Sequence, residues 1–265
     1  MTAAGRLLLL FTLLVPIAQA SDLAKEKRWA DQTVDSLIDG EAVWLQAGNT
    51  RFLGIYTEAE HPTGRAALVI HGIGVHPNWP QVVYPLRTQL PADGWSTLAL
   101  QMPVLPNEAK PADYAPLFDE VAPRIDAGIA FLKAHGAKEV VIVAHSLGAA
   151  MATHYLADHP GSVAAFVGIG MSGSAADPRM DNVQSLQRIH TPVLDLYGEH
   201  DLEPVVGSAA ARAAAAGKAG NRAYTQAQAM GANHFFDGRE DALVETVARW
   251  LDETVPAPSK LGARQ

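Results

Sequence analysis

The segment Glu139-Val140-Val141-Ile142-Val143-Ala144-His145-Ser146-Leu147-Gly148 decides the fold. The apolar run that follows Glu139 is typical of a strand buried on both faces of a parallel sheet. The residues from Leu147 to Asp158 include several alanines and predict a helix. Ser146 therefore lies at a sharp turn between a strand and a helix, at the carboxyl end of the strand.

Small residues flank Ser146 where such a turn needs them. Ala144 stands two positions before it and Gly148 two positions after it. The pattern matches the G-x-S-x-G nucleophile elbow, except that alanine replaces the first glycine and still meets the steric requirement. The alternative is that Ser146 only caps the helix. Its place directly after a five-residue apolar strand favours a nucleophile.

Strands and helices alternate on both sides of this elbow. An amphipathic helix is predicted within residues 21–40, followed by two strands at 41–46 and 51–57 joined by Gly48-Asn49. The later strands are predicted at 66–70, 95–100, 139–144, 163–170, 192–197 and 222–228, and the later helices at 81–90, 118–135, 147–158, 207–218 and 240–254. This order predicts a single α/β domain over residues 21–254, with a mostly parallel central sheet covered by helices on both faces. A flexible tail is expected at 255–265.

The first twenty residues predict a signal peptide. Arg6 is followed by an apolar run from Leu7 to Ile17 and by the small-residue site Ala18-Gln19-Ala20. The run is short for a membrane span, although an uncleaved anchor is the alternative. We expect cleavage after Ala20, a periplasmic or secreted protein that begins at Ser21, and no stable membrane insertion after cleavage.

Composition excludes several classes of protein. The chain has 265 residues, 48% of them hydrophobic, which suits one large globular domain. The net charge of −8 offers no electrostatic surface for nucleic acid. Without cysteine there can be no disulfide and no lipid attached through a cysteine.

Two further residues lie where a serine nucleophile would need them. Asp201 follows the predicted strand at 192–197, and His234 follows the one at 222–228. The order serine, acid, histidine is that of the α/β-hydrolase triad, in which histidine takes the proton and the acid orients it. His234 is the only histidine after Asp201. Glu199 and His200 are nearby alternatives, and Asp195 ranks lower because it falls inside the strand.

An oxyanion hole is predicted from two backbone N–H groups. One belongs to Leu147, directly after the nucleophile, and the other to Ile73 in the loop His71-Gly72-Ile73-Gly74, with Gly74 as the alternative. The glycines let the backbone approach a substrate closely. A dinucleotide-binding loop is a poor interpretation, because the third glycine is missing and no helix follows.

These segments together resemble the α/β-hydrolase superfamily from about residue 41 to residue 254, through HGIG, AHSLG, YGEHD and GANHF. The stretches at 71–80 and 94–103 are similar to a bacterial family of exported α/β-hydrolase-like proteins of unknown function. The resemblance implies an α/β-hydrolase fold with a triad of Ser146, Asp201 and His234. It implies no substrate.

The surroundings of the site are predicted to be open. His76 and Trp79 follow the oxyanion loop and are candidates for the pocket, although Trp79 could instead pack a helix on the sheet. The gap at 171–191 has room for one short helix, and the proline-rich stretch at 103–117 is the other candidate cover. Neither is a large lid domain, so we expect small or medium acyl groups.

The function predicted from these residues is hydrolysis of a carboxylic ester through an acyl-enzyme. A thioesterase, amidase or acyltransferase would use the same triad. A non-catalytic envelope binding protein on this scaffold is the alternative from another class. No cofactor and no metal are expected, since no H-E-x-x-H pair occurs. The expected partner is a small ester or acyl substrate, and the oligomeric state is open.

Overall fold

Eight strands form one sheet in the computed structural model, which describes residues 21–173 and 177–257. The strand order is β1-β2-β4-β3-β5-β6-β7-β8. Strand β2 runs antiparallel to both β1 and β4, and every pairing from β4 to β8 is parallel. The strands are β1 Glu41–Ala47, β2 Thr50–Thr57, β3 Arg65–Ile70, β4 Trp95–Leu100, β5 Glu139–His145, β6 Ala165–Ile169, β7 Val193–His200 and β8 Tyr224–Asn233. The predicted signal peptide and the last eight residues of the chain lie outside the described residues.

The helices connect successive strands. They are α1 Leu23–Asp35, α2 Val83–Gln89, α3 Val121–Ala134, α4 Leu147–Asp158, α5 Asn182–Leu186, α6 Glu203–Gly207, α7 Ala209–Lys218 and α8 Glu240–Thr254. A 3₁₀ segment, Pro111–Glu120, leads into α3. Over the ranges that the structure describes, no helix is long and apolar enough to cross a membrane.

Two hydrophobic cores lie on opposite faces of the sheet. Along β3 the buried residues alternate, because successive side chains of a strand point to opposite faces. Leu68 and Ile70 belong to the core shared with α3 and α4. Ala67 and Val69 belong to the core shared with α2 and α8. The predicted sheet covered on both faces is therefore confirmed.

Strands β7 and β8 run further than their sequences predict. They end at His200 and Asn233, whereas the apolar and polar patterns predict ends at 197 and 228. The two strands stay paired past Gly198, where a side chain would collide with the carbonyl of Ala232. This extension brings Asp201 and His234 to the same edge of the sheet.

Some predicted helices divide in the structure. The helix predicted at 118–135 starts as α-helix only at Val121, since the preceding segment contains Pro116 and is 3₁₀ in form. The helix predicted at 207–218 is α7, and α6 precedes it with a break at Ser208. The helix predicted at 81–90 begins at Val83 and passes into a 3₁₀ turn.

Candidate active site

Ser146 occupies a strained turn between β5 and α4. Its φ of 54° and ψ of −122° lie in a region that residues other than glycine rarely adopt. Its N–H donates to the carbonyl of Ile169 on the neighbouring strand at 2.8 Å. Gly148 has no room for a side chain, because a Cβ there would collide with the carbonyl of His71. The elbow is therefore packed directly against the loop that follows β3.

Ser146, His234 and Asp201 form one hydrogen-bonded series. His234 Nε2 lies 3.0 Å from Ser146 Oγ, and His234 Nδ1 lies 2.6 Å from Asp201 Oδ1. Because an ionised carboxylate can only accept, Nδ1 carries the hydrogen and Nε2 is left to accept the serine proton. In this arrangement the histidine can act as a general base toward the serine hydroxyl.

Asp201 is held in its ionised form. Its side chain is fully buried, which opposes ionisation. The hydrogen bond and charge of His234 and the backbone N–H groups of Gly198 and Leu202 outweigh that burial, so the pKa of Asp201 is lowered. A carboxylate that stays charged can orient His234 and stabilise it when protonated.

A tight turn presents His234. The side chain of Asn233 accepts the N–H groups of Phe235 and Asp237 at 3.0 and 3.2 Å, a local pattern that asparagine supports in turns. Gly170 lies against the ring, since a Cβ there would come within 2.8 Å of His234 Cε1. The position of the His234 imidazole is therefore set by the turn around Asn233 and by the backbone of Gly170, which carries no side chain.

His145 and His71 brace the site, and sequence reasoning assigned neither of them a role. His145 Nε2–H donates to the backbone carbonyl of His234 at 2.9 Å, which ties the elbow to the histidine turn. Burial lowers the pKa of His145 to about 4 and that of His71 to about 3, so both rings are neutral. Their immediate proximity to Ser146 and Gly72 in the sequence was the available signal.

The predicted oxyanion loop lies beside the nucleophile. His71 Nδ1–H donates to the carbonyl of Gly72 at 2.8 Å, and a Cβ at Gly72 would come within 3.3 Å of Ser146 Cβ. Among the described residues, the N–H groups of Ile73 and Leu147 donate to no other backbone carbonyl outside regular helix and strand bonding. Both groups are therefore available for a ligand oxygen. Their role as oxyanion donors stays a prediction.

The residues considered as alternative acid or base either have other partners or are exposed to solvent. Asp195 is completely buried inside β7 and pairs with Arg212 at 2.7 Å. Glu199 accepts the N–H of Gly231, and His200 has a mostly exposed side chain. Asp201 is thus the carboxylate in this region that contacts His234.

His76 and Trp79 lie in an aromatic cluster with Trp29 of α1. The His76 ring is 5.3 Å from Trp29 and 5.6 Å from Trp79, measured between centroids. Burial lowers the pKa of His76. Trp79 packs against the core shared with α2, which agrees with its alternative role as a packing residue. That the two residues line the substrate pocket stays a prediction.

No large insertion is present between the strands that carry the site, in the part of the chain that the structure describes. The stretch at 171–191 contains a 3₁₀ turn, Pro178–Met180, and the five-residue helix α5. Two sizeable cavities, of about 880 and 950 Å³, lie elsewhere. The first is at the amino-terminal ends of the strands and the second is between α2 and α8, and neither is lined by Ser146, Asp201 or His234.

Comparison with protein families identifies the family to which the chain belongs. A family described as protein of unknown function, DUF3530, matches residues 16–123 and 108–253. The two matches together span most of the sequence, so the chain belongs to this family. A search of curated proteins finds no match.

Solved structures show the same fold. A dienelactone hydrolase from Anabaena variabilis is 20% identical with a TM-score of 0.64, over 81% of this chain and 97% of its own. Est1E from Butyrivibrio proteoclasticus, with ferulic acid bound, is 14% identical with a TM-score of 0.64, over 81% and 99%. An alpha-beta serine hydrolase homologue from Coxiella burnetii is 16% identical with a TM-score of 0.62, over 80% and 98%. At these identities the similarity establishes the α/β-hydrolase fold.

Proposed function

We propose that the protein is an exported serine hydrolase that cleaves carboxylic esters through an acyl-enzyme. The single observation that carries this proposal is the continuous series Ser146 Oγ, His234, Asp201, with distances of 3.0 and 2.6 Å. A serine that only caps a helix does not require a histidine hydrogen-bonded to its hydroxyl. Such a histidine would also not require a buried carboxylate as its second partner. The solved neighbours described as a serine hydrolase homologue and a dienelactone hydrolase support the same reaction class.

In the proposed mechanism Ser146 Oγ attacks the carbonyl carbon while His234 Nε2 takes its proton. Asp201 stays ionised and stabilises the imidazolium. The N–H groups of Ile73, in the loop beside Ser146, and of Leu147, directly after it, stabilise the oxyanion, and among the described residues neither has a backbone partner outside regular helix and strand bonding. The imidazolium then protonates the leaving alcohol, and water activated by His234 releases the acid.

Short or medium acyl groups are the proposed substrates. The short connections at 103–117 and 171–191 leave no lid domain of the size that a long lipid chain requires, within the residues described. Activity on p-nitrophenyl esters from acetyl to palmitoyl tests this. A rate that falls steadily beyond medium chains is expected, and a preference for emulsified long-chain triglyceride would contradict it.

A fluorophosphonate probe tests the nucleophile itself. The processed wild-type protein should be labelled, and Ser146→Ala should not. Ser172→Ala is the matched control, because this half-buried hydroxyl lies in the loop after the neighbouring strand β6. Labelling that persists in Ser146→Ala, or none in the wild type, would refute the hydrolase and favour a binding protein. Equal turnover of thioesters or amides would change the substrate class and leave the triad in place.

A further inference from the structure

A carboxylate holds Ser21, the residue that follows the predicted cleavage site. Its backbone nitrogen lies 2.9 Å from Glu120 Oε1, and its hydroxyl donates to Glu120 Oε2 at 2.8 Å. Ser21 is only 8% exposed. The ends of folded chains are poorly ordered unless they are tied down, so this two-point attachment gives Ser21 a defined position.

Glu120 belongs to a charge cluster with an excess of carboxylates. Arg124, fully buried, donates to Glu26 at 2.8 and 3.1 Å and lies 3.4 Å from Glu120. Burial and the neighbouring Glu120 raise the pKa of Glu26, and Arg124 opposes that rise. One guanidinium thus faces two carboxylates. A second cation beside Glu120 would balance the cluster.

We propose that this second cation is the α-ammonium group that processing creates at Ser21, and that Glu120 is its receptor. A signal peptidase would break the Ala20–Ser21 peptide bond, with water supplying the hydroxyl to the Ala20 carbonyl and a proton to the Ser21 nitrogen. A free α-amino group has a pKa of about 7.7–8.0, so it is largely charged at neutral pH. The hydrogen bond from Ser21 to Glu120 would then become an ion pair.

The docked amino terminus is connected to the predicted oxyanion loop. Arg124 Nη1 donates to the carbonyl of Gln101 at 2.9 Å. The next residue, Met102, donates its N–H to His71 Nε2 at 2.9 Å, and the same ring donates from Nδ1 to Gly72. Processing would therefore brace the loop beside Ser146. This consequence rests on the proposed catalytic function, whereas the ion pair rests only on export and cleavage after Ala20.

Displacing the amino group tests the ion pair. The full-length precursor is expressed with export, and the processed protein is compared with one that carries two glycines inserted between Ala20 and Ser21. Both are made with Glu120 and with Glu120→Gln, which keeps an acceptor oxygen but removes the charge. Amino-terminal sequencing establishes where each processed chain begins.

The thermal midpoint is the main measurement. With Glu120 the insertion should lower it by roughly 2–4 °C, and with Glu120→Gln by less than about 1 °C. An equal loss in both backgrounds, or none with Glu120, would overturn the proposal. A processed wild-type chain that starts at a residue other than Ser21 would overturn it as well.

A pH series decides the matter even if Glu120→Gln fails to fold. The groups around the amine are Glu120 and Asp119 of the 3₁₀ segment, the adjacent Asp22, and Arg124 of α3, which in turn pairs with Glu26 of α1. Pairing raises the pKa of the amine in the folded state, so its stabilisation is present at pH 7 and is lost as the pH rises through that raised pKa. The difference in thermal midpoint between the processed protein and the protein with two inserted glycines, both with Glu120, should therefore shrink between pH 7 and pH 10. A constant difference would contradict the ion pair.

The rate of fluorophosphonate labelling measures the coupling to the loop. The inserted protein should be labelled several-fold more slowly than the protein that begins at Ser21. If neither is labelled, the proposed function fails, while the midpoints still decide whether the amino terminus is docked. Equal labelling rates would refute the coupling and leave the ion pair to the midpoint test.

Discussion

Two buried aspartates in β7 and the loop that follows it have different partners and therefore different uses. Asp195 lies within β7 and Asp201 directly after it, and both side chains are fully buried. Asp195 pairs with Arg212, which is always charged, at 2.7 Å. Asp201 pairs with His234, which can gain and lose a proton, at 2.6 Å. The first pair can only hold the fold together, whereas the second can take part in proton transfer.

The largest expected effect distinguishes the two aspartates by activity. Asp201→Asn should lower kcat for an ester substrate by about 10⁴-fold, since an amide no longer selects the required tautomer of His234. Its thermal midpoint should stay close to that of the wild type. Steady-state kinetics and a thermal melt measure the two quantities. Unchanged turnover would show that the contact with His234 has no catalytic role.

Asp195→Asn should have the opposite result. The substitution leaves the buried charge of Arg212 without a full partner, and breaking such a pair costs about 3–5 kcal/mol of unfolding free energy. The fluorophosphonate labelling of the fraction that remains folded should be unchanged. Urea unfolding provides the free energy.

The double variant Asp195→Asn with Arg212→Met is the control. It removes the uncompensated charge, so it should lose less stability than the two single changes added together. Strict additivity would mean that the two side chains act independently and that the pair is not the source of the effect.

The difference between these aspartates shows how far the sequence could be interpreted. The strand–helix order, the elbow at Ser146 and the strand ends that carry Asp201 and His234 follow from local patterns of apolar residues and turns. The partner of Asp195 does not, because Arg212 lies on another element and only packing brings its side chain to the strand. The full lengths of β7 and β8 were likewise missed, since their last residues, Gly-Glu-His in β7 and Ala-Met-Gly-Ala-Asn in β8, show no regular apolar alternation and are held by pairing with each other.

The bracing histidines were missed for the same reason. His71 and His145 contact backbone groups of distant segments, Met102 and His234, which no local periodicity reveals. The site residues, by contrast, had to meet at one edge of a parallel sheet once the strands were known. The topology was therefore predictable, and the side-chain networks that support the site were not.

The buried neutral histidines His71 and His145 extend the comparison of buried charged groups to basic side chains. His71 and His145 have pKa values of about 3 and about 4 in the folded protein, against about 6.5 when unfolded. Because the folded values are lowered, the stabilisation is complete above pH 6.5 and is lost as the pH falls below it. Each histidine should contribute about 1.4 kcal/mol per pH unit to that loss.

His145→Gln isolates one of these contributions. Glutamine can still donate to the carbonyl of His234 but does not titrate, so the slope of unfolding free energy between pH 6.5 and pH 5 should fall by about one proton. Urea unfolding at several pH values measures the slope. A slope equal to that of the wild type would mean that His145 is not buried in its neutral form.

The smallest effect tests how well Asp195 is supported. Tyr224 donates its hydroxyl to Asp195 Oδ2 at 2.6 Å, and burial together with that negative charge raises the pKa of the tyrosine. Tyr224→Phe should cost about 1–2 kcal/mol, less than the loss of the carboxylate, because Arg212 and Gln226 still donate to Asp195.

Tyr155→Phe is the matched control for Tyr224→Phe. Tyr155 donates to Asp126 at the same distance, 2.6 Å, but Asp126 is exposed and water can replace the hydroxyl. We expect a loss of about 0–1 kcal/mol there, and no change in labelling of Ser146 for either variant. If the two substitutions lower the unfolding free energy equally, burial of the carboxylate would not determine the strength of the hydrogen bonds that it accepts. The distinction between Asp195 and Asp201 would then depend only on whether the partner of each can titrate.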